Sequence, residues 1–178
     1  MRAHRHVFGD PLRGPRVNDA PGVLADVRVV ADYQFGSGAG AALFAEPETI
    51  EVRRSSSGRP RQIIGPTGRL GTLGQDGRLT LGYAGGLRLF KALPAPAYRV
   101  TVGEESESFI RSGDNAFAKF VQTVDDAIRP HDEVLVVDTS GETLLGVGRA
   151  DLSATGMRDF ECGPAVSIRE GRDEWQDR

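Results

Sequence analysis

Two prolines in three residues, in the run Leu93-Pro94-Ala95-Pro96, set the strongest limit on how this chain can fold. Proline locks φ, lacks an N–H and pushes the residue before it out of the helical region, so no helix arriving from the left passes this point. The charge balance changes sign at the same place. Residues 23–97 hold nine basic against six acidic side chains, a balance of +3, whereas residues 98–178 hold nine against seventeen, a balance of −8. The first 22 residues contribute +2. A charge reversal across a helix-breaking stretch predicts two units, 23–97 and 98–171, after a mobile extension at 1–22 and before a tail at 172–178.

The formal net charge of −3 argues against a non-specific nucleic-acid coat, because phosphate neutralisation drives that kind of binding. Lys91 and Lys119 are the only lysines, which leaves 20 arginines among the 22 basic residues. The single cysteine, Cys162, cannot form an internal bridge, and its expected role is that of a small buried apolar residue. No run approaches the roughly 18 apolar residues needed to span a bilayer, and no secretory signal follows the N-terminal arginines. A soluble, cytoplasmic protein without membrane contact is expected.

The first unit reads as a small α+β arrangement. Val23, Leu24, Val27, Val30 and Ala31 recur at helical spacing, predicting a helix that stops at Gly36-Ser37-Gly38. A second helical piece, 39–46, runs into Pro47. Two hairpins follow, 50–54 with 61–65 around Ser55-Ser56-Ser57-Gly58, and 69–73 with 78–81 around Gly74-Gln75-Asp76-Gly77. A helix over 84–93 closes the unit. Gly36-x-Gly38-x-x-Ala41 fits the dinucleotide-loop fingerprint, but Pro47 cuts its helix short and positions 54–62 hold no ribose-binding acid, so it reads as a helix-ending turn. Arg53, Arg54, Arg59 and Arg61 surround the first hairpin turn. Four guanidiniums at one tip can fork onto phosphates, or form a solvated loop with Glu48 and Glu51 as counterions.

The second unit alternates in short strands, at 98–102, 116–121, 133–138, 143–150 and 164–169, with a short helix over 105–111. That pattern predicts a mainly-β small barrel. In strand 116–121, Ala116, Ala118 and Phe120 facing inward would turn Phe117 and Lys119 outward together. An aromatic beside a cation suits base stacking with a phosphate contact, and equally Phe117 can fill the far side of a closed barrel. No catalytic or metal site is expected: His4, His6 and His131 have no ligand spacing with Cys162, and Asp125-Asp126 and Glu104-Glu105 read as solvated turn charges.

Five separated segments carry a resemblance. Phe109-Ile110-Arg111-Ser112-Gly113, Asn115-Ala116-Phe117-Ala118-Lys119-Phe120-Val121, Ile128-Arg129-Pro130-His131-Asp132-Glu133-Val134, Leu145-Gly146-Val147-Gly148-Arg149-Ala150 and Gly163-Pro164-Ala165-Val166-Ser167-Ile168-Arg169 together resemble a PUA domain of archaeal type. Asp32-Tyr33-Gln34-Phe35-Gly36, Val52-Arg53-Arg54-Ser55 and Gly58-Arg59-Pro60-Arg61-Gln62-Ile63 resemble the domain preceding PUA in archaeosine tRNA-guanine transglycosylases. The resemblance implies a PUA pseudobarrel that docks tRNA or other structured RNA, and it places RNA contacts on Arg111, Gly113, Asn115, Phe117, Lys119, Arg149 and Arg169. His131 stands where that family commonly has glycine, and Pro164 where a hydrogen-bonding residue is usual. The family's catalytic (β/α)₈ barrel of about 250 residues has no room here, and no cofactor is implied. The implied function is non-catalytic RNA binding, with a separate catalytic transglycosylase-type subunit as partner. The competing reading is a protein-interaction module whose acidic second half binds a basic partner.

Overall fold

The computed structural model describes residues 20–177. The expected extension at 1–22 therefore falls largely outside the described residues; its last three positions begin the first helix.

Helix α1 (Ala20–Phe35) ends at the 36–38 turn and is followed by α2 (Ala39–Leu43), shorter than the 39–46 expected because Phe44 and the left-handed Glu46 leave helical geometry ahead of a single 3-10 turn (Pro47–Thr49). The Asp32 carboxylate accepts from the Gly40 N–H at 2.7 Å. A side chain thus occupies the donor that a dinucleotide loop would offer to a phosphate, and the fingerprint is a turn. Strands β1 (Glu51–Arg54), β2 (Pro60–Gly65), β3 (Gly68–Leu73) and β4 (Leu79–Leu81) form an antiparallel meander in that order. Helix α3 (Tyr83–Ala92) then crosses back over it. Its Gly85 and Gly86 allow this crossing: an added Cβ would meet the Leu70 backbone at the first and Val147 at the second.

The second sheet runs β6-β10-β9-β8-β5-β7. Its strands are β5 (Arg99–Val102), β6 (Ala116–Phe117), β7 (Val121–Val124), β8 (Glu133–Val137), β9 (Leu144–Ala150) and β10 (Pro164–Gly171). The expected single strand over 116–121 is not one strand. A 3-10 turn at Ala118–Phe120 divides it, so that β6 pairs with β10 at one end of the sheet order and β7 pairs with β5 at the other. These few residues close the sheet into the expected pseudobarrel. Helices α4 (Glu104–Arg111), α5 (Ala154–Asp159) and α6 (Arg172–Gln176) pack around it. The last occupies the stretch read as a tail, and its Trp175 indole N–H donates to Thr67 O at 2.7 Å. Among the described residues no helix is long and apolar enough to cross a membrane.

The barrel has an interior of its own around Val100, Ile110, Val136 and Met157, and a second core is shared between the two sheets. The shared core joins Leu24, Phe35, Leu43 and Leu70 of the first unit to Leu135, Val137, Leu144 and Val147 of the second. Polar contacts fasten the same seam. The buried Glu133 carboxylate accepts from Leu81 N–H at 2.8 Å and from both Arg169 amino groups at 2.5 and 2.8 Å. Two residues along the chain from that first donor, Tyr83 N–H donates to the equally buried Glu170 at 2.7 Å. Helix α3 starts at Gly82, which has no side chain to cap it, so Glu170 supplies the anion that the helix start requires. The Tyr83 hydroxyl donates to Leu144 O at 2.7 Å, and burial pushes its pKa up to about 12, which keeps that proton in place.

Removing one partner of a buried, hydrogen-bonded charge pair strands the other. Glu133→Ala is expected to cost about 3 kcal/mol and to lower the melting temperature of the whole molecule in a single transition, because both sheets share the core. Calorimetry would show two separated transitions if the halves were independent.

Candidate nucleic-acid interface

The β1–β2 and β3–β4 turns of the first sheet stand side by side. Arg59 and Arg61 line a cleft of about 330 Å³ with Ser55, Ser57 and Gln75, the last from the neighbouring turn. All four tip arginines are exposed. Arg53 is held by Glu51 at 2.9 Å, and its hydrogen bond to that carboxylate, with the carboxylate's charge, raises the arginine pKa. Arg54 folds onto Gly58 O at 2.9 Å, which braces the turn. The strand register explains the divergence: Arg53 opposes Gln62, and a bulge follows before Arg54 opposes Pro60.

On the second sheet the expected contacts fall into three places. Phe117 lies in an apolar groove of about 490 Å³ with Phe109, Phe120, Ser106, Asp114 and Asn115. Its ring is 44% exposed, and that of Phe109 is 59% exposed. Ala116 and Ala118 are buried while Phe117 and Lys119 are exposed, so the alternation read from sequence holds across the division of the strand. The Lys119 ammonium sits 4.6 Å from the centre of the Phe120 ring, an arrangement that favours both groups. Asn115 accepts from Ile168 N–H at 3.0 Å, which fixes its amide beside the groove and leaves the NH₂ end as donor.

Arg111 and Gly113 occupy a different place, under α6. Both Nε and Nη2 of Arg111 reach one oxygen of Asp173, at 3.1 and 2.9 Å. Gly113 adopts φ +95°, and a Cβ there would stand 2.9 Å from the Glu174 carboxyl. An acidic helix therefore lies against the turn that was expected to approach phosphate. Arg149 and Arg169 form the third place, at the seam, facing Arg78 and His131 across a cavity of about 380 Å³.

Residues 25–96 match the patch-forming domain C2 of tRNA-guanine transglycosylase, and residues 98–172 match the PUA domain. The chain is a C2 domain followed by a PUA domain. It is 45% identical to a tRNA-guanine(15) transglycosylase of Pyrococcus furiosus over 83% of its length, and 47% identical to that of Methanothermobacter thermautotrophicus over the same share. It spans 25% and 22% of those two relatives. A hypothetical protein of Pyrococcus horikoshii shares the fold, with a TM-score of 0.63 at 18% identity, over 88% of this chain and 95% of that one.

Within the PUA domain, Cys162 is exposed, which corrects the expectation of a small buried apolar side chain. It sits in the irregular stretch before β10, where no element covers it. His131, in the position where the resemblance leads one to expect glycine, keeps a left-handed backbone at φ 74° and donates its N–H to Ala150 O at 2.8 Å. Pro164 opens β10 opposite Phe117, a first-strand position that costs no ladder hydrogen bond within the strand. Phe120, expected to face inward, is half-buried and lines the groove with Phe117, because the 3-10 turn at Ala118–Phe120 ends the alternation there; Phe109, Gln75 and Arg78 were not among the expected contacts. Phe109 lies on α4 at no strand register, and Gln75 and Arg78 gain meaning only when their turn meets a second one. Among the described residues no group of three His, Cys, Asp or Glu gathers as a metal site.

The position of α6 makes a prediction. Gly113→Ala combines a left-handed φ with a contact on Glu174 and is expected to cost about 1–3 kcal/mol, with a change in the fluorescence of Trp175, the only tryptophan. Arg111→Ala removes a half-exposed pair and is expected to cost under about 1 kcal/mol. Thermal melts of both variants provide the comparison.

Proposed function

We propose that this chain is a non-catalytic RNA-binding protein that docks tRNA or other structured RNA in the cytoplasm, acting as the accessory part of an archaeosine tRNA-guanine transglycosylase system with a separate catalytic subunit. The observation that carries this reading is the groove formed by Phe109, Phe117 and Phe120 next to the fixed amide of Asn115. Unstacked bases pack on exposed aromatic rings and are read by hydrogen bonds at their edges, and a groove of this size takes one nucleotide. The C2 tip arginines supply backbone attraction, since exposed guanidiniums bind phosphate oxygens in a forked geometry. The likeness to transglycosylases over their C-terminal domains supports a tRNA context.

The two contributions separate by salt. Phe117→Ala is expected to weaken binding of a tRNA transcript by about 1–3 kcal/mol with no change in the slope of log affinity against log salt. Changing Arg53, Arg54, Arg59 and Arg61 together to Ala is expected to flatten that slope by about 0.7–0.9 for each phosphate these arginines neutralise. Fluorescence anisotropy over a salt series measures both. Absence of binding to total tRNA at low salt would overturn the reading.

One observation favours the second reading, protein interaction. Tyr33 is 94% exposed and Val29 is 68% exposed, one turn apart on α1. A co-purifying protein that disappears on Tyr33→Ala, with tRNA binding intact, would establish that role beside RNA binding.

A further inference from the structure

The cavity at the seam between the two domains is lined from both sides. Arg78 and Thr80 come from the β3–β4 turn and β4 of C2, and His131, Glu133, Arg149 and Arg169 come from PUA. Its chemistry is that of a donor-rich site. Glu133 has both oxygens engaged by Leu81 N–H and Arg169. Asp76, the other carboxylate of the lining, accepts from Arg78 N–H at 3.1 Å through one oxygen, and just outside it Asp132 accepts from Arg129 N–H at 2.9 Å and Asp151 from the Ser167 hydroxyl at 2.6 Å. The guanidiniums have capacity to spare. Each carries five N–H groups, yet Arg78 commits a single hydrogen bond, to Asp132 at 3.2 Å. Arg149 has half of its side chain exposed and pairs with Asp151 at 3.6 Å as an ion pair without a hydrogen bond, so its N–H groups remain open. The His131 ring makes no hydrogen bond with the other described residues. Three guanidiniums and an imidazole, drawn from two domains, stand in this lining against two carboxylates, of which Glu133 is fully engaged, so an anion entering the cavity meets open donors.

We infer that this seam cavity is a phosphate site in which Arg78, His131 and Arg149 hold one backbone phosphate of a bound RNA, bridging the C2 and PUA domains. The inference rests on the RNA-binding reading above and adds Arg78 and His131 to it. Position supports it as well as chemistry. The β3–β4 turn has the tip cleft with Arg59 and Arg61 on one flank, through Gln75, and the seam cavity on the other, through Asp76 and Arg78. From the cavity, β10 leads to the aromatic groove: Ser167 opposes Arg149, Ile168 N–H meets Asn115, and Pro164 opposes Phe117. The seam site is thus the link that lets one strand run from the arginine tip to the stacking groove. The left-handed backbone at 131 would suit glycine better than histidine, so the ring stands in the cavity against backbone preference.

Arg149→Gln, Arg78→Gln and His131→Gly test the site, with an unmodified tRNA transcript as probe and a salt series as readout. Arg149→Gln and Arg78→Gln are expected each to flatten the log–log salt slope by about 0.7–0.9 and to weaken binding about threefold to tenfold at moderate salt. His131→Gly relieves the backbone, so its expected result is weaker binding at unchanged or higher melting temperature, which separates loss of the ring from loss of fold. Unchanged slope and affinity in Arg149→Gln and His131→Gly, beside a wild type that binds and a tip variant that does not, would overturn the seam site and leave the general RNA reading standing. A wild type that binds no tRNA would overturn both.

Discussion

Everything in this molecule depends on two buried carboxylates. Ionised glutamates leave water only at a cost of several kcal/mol each, so Glu133 and Glu170 persist because the neighbouring domain supplies their partners. Leu81 and Tyr83 donate their backbone N–H groups on either side of Gly82, where the C2 chain turns from β4 into α3 and has donors to spare. Arg169 and Arg69 add charge from the two sides. A C2 domain that moved away would strip both carboxylates of their backbone donors and uncap α3. The joint is therefore rigid for an electrostatic reason, and the shared core of Leu70, Leu135 and Val147 gives it an apolar reason too.

Rigidity has a direct bearing on recognition. A cation on one domain and an aromatic groove on another read a ligand jointly only if their spacing is fixed, since a flexible joint would lose to entropy what the second contact adds. The same glutamate that closes the seam also fixes Arg169, so in the proposed complex that residue shapes the cavity and does not itself hold the ligand. Arg111 likewise holds α6 in place through Asp173. Arginine-rich composition thus divides into side chains that build the molecule and side chains open to a ligand, and no count of arginines separates the two.

Much of the fold was legible because local rules agreed with one another. The hairpin turns at 55–58 and 74–77, the helix stop at 36–38, the α+β first half and the barrel-like second half all follow from turn chemistry and hydrophobic period. The failures have physical causes. Alternation continues from Ala116 to Phe120, so sequence periodicity could not reveal that the backbone leaves one edge of a sheet and joins the other. Helix α6 is too short and too polar to announce itself; Trp175 packs on Tyr83, with ring centroids 5.1 Å apart, only because the first domain is there to receive it. Cys162 was misplaced by a residue-type preference that says nothing about a stretch no element covers. At the candidate site, the tip arginines and the outward Phe117 could be read from local pattern, whereas Arg78, Gln75, Phe109 and His131 become neighbours of a site through tertiary contact alone.

The acidity of the second half also has a structural account. Asp125, Asp132 and Asp138 each accept backbone N–H groups in tight loops. For Asp138, partial burial pushes the carboxyl upward, but bonds from Thr143, Ser140 and Glu142 outweigh it and hold the pKa below the usual carboxylate range. Glu170 and Glu174 do the same work at helix starts. Short connections between barrel strands leave many N–H groups without partners, and carboxylates satisfy them compactly. The charge remains, however, and a domain with an excess of eight negative charges repels a polyanion at long range. In the proposed RNA complex, contact on the PUA side would then rest on stacking and on a few guanidiniums with spare donors, with the long-range attraction coming from the C2 tip. A chain divided in this way needs its seam more than either domain needs its own charge.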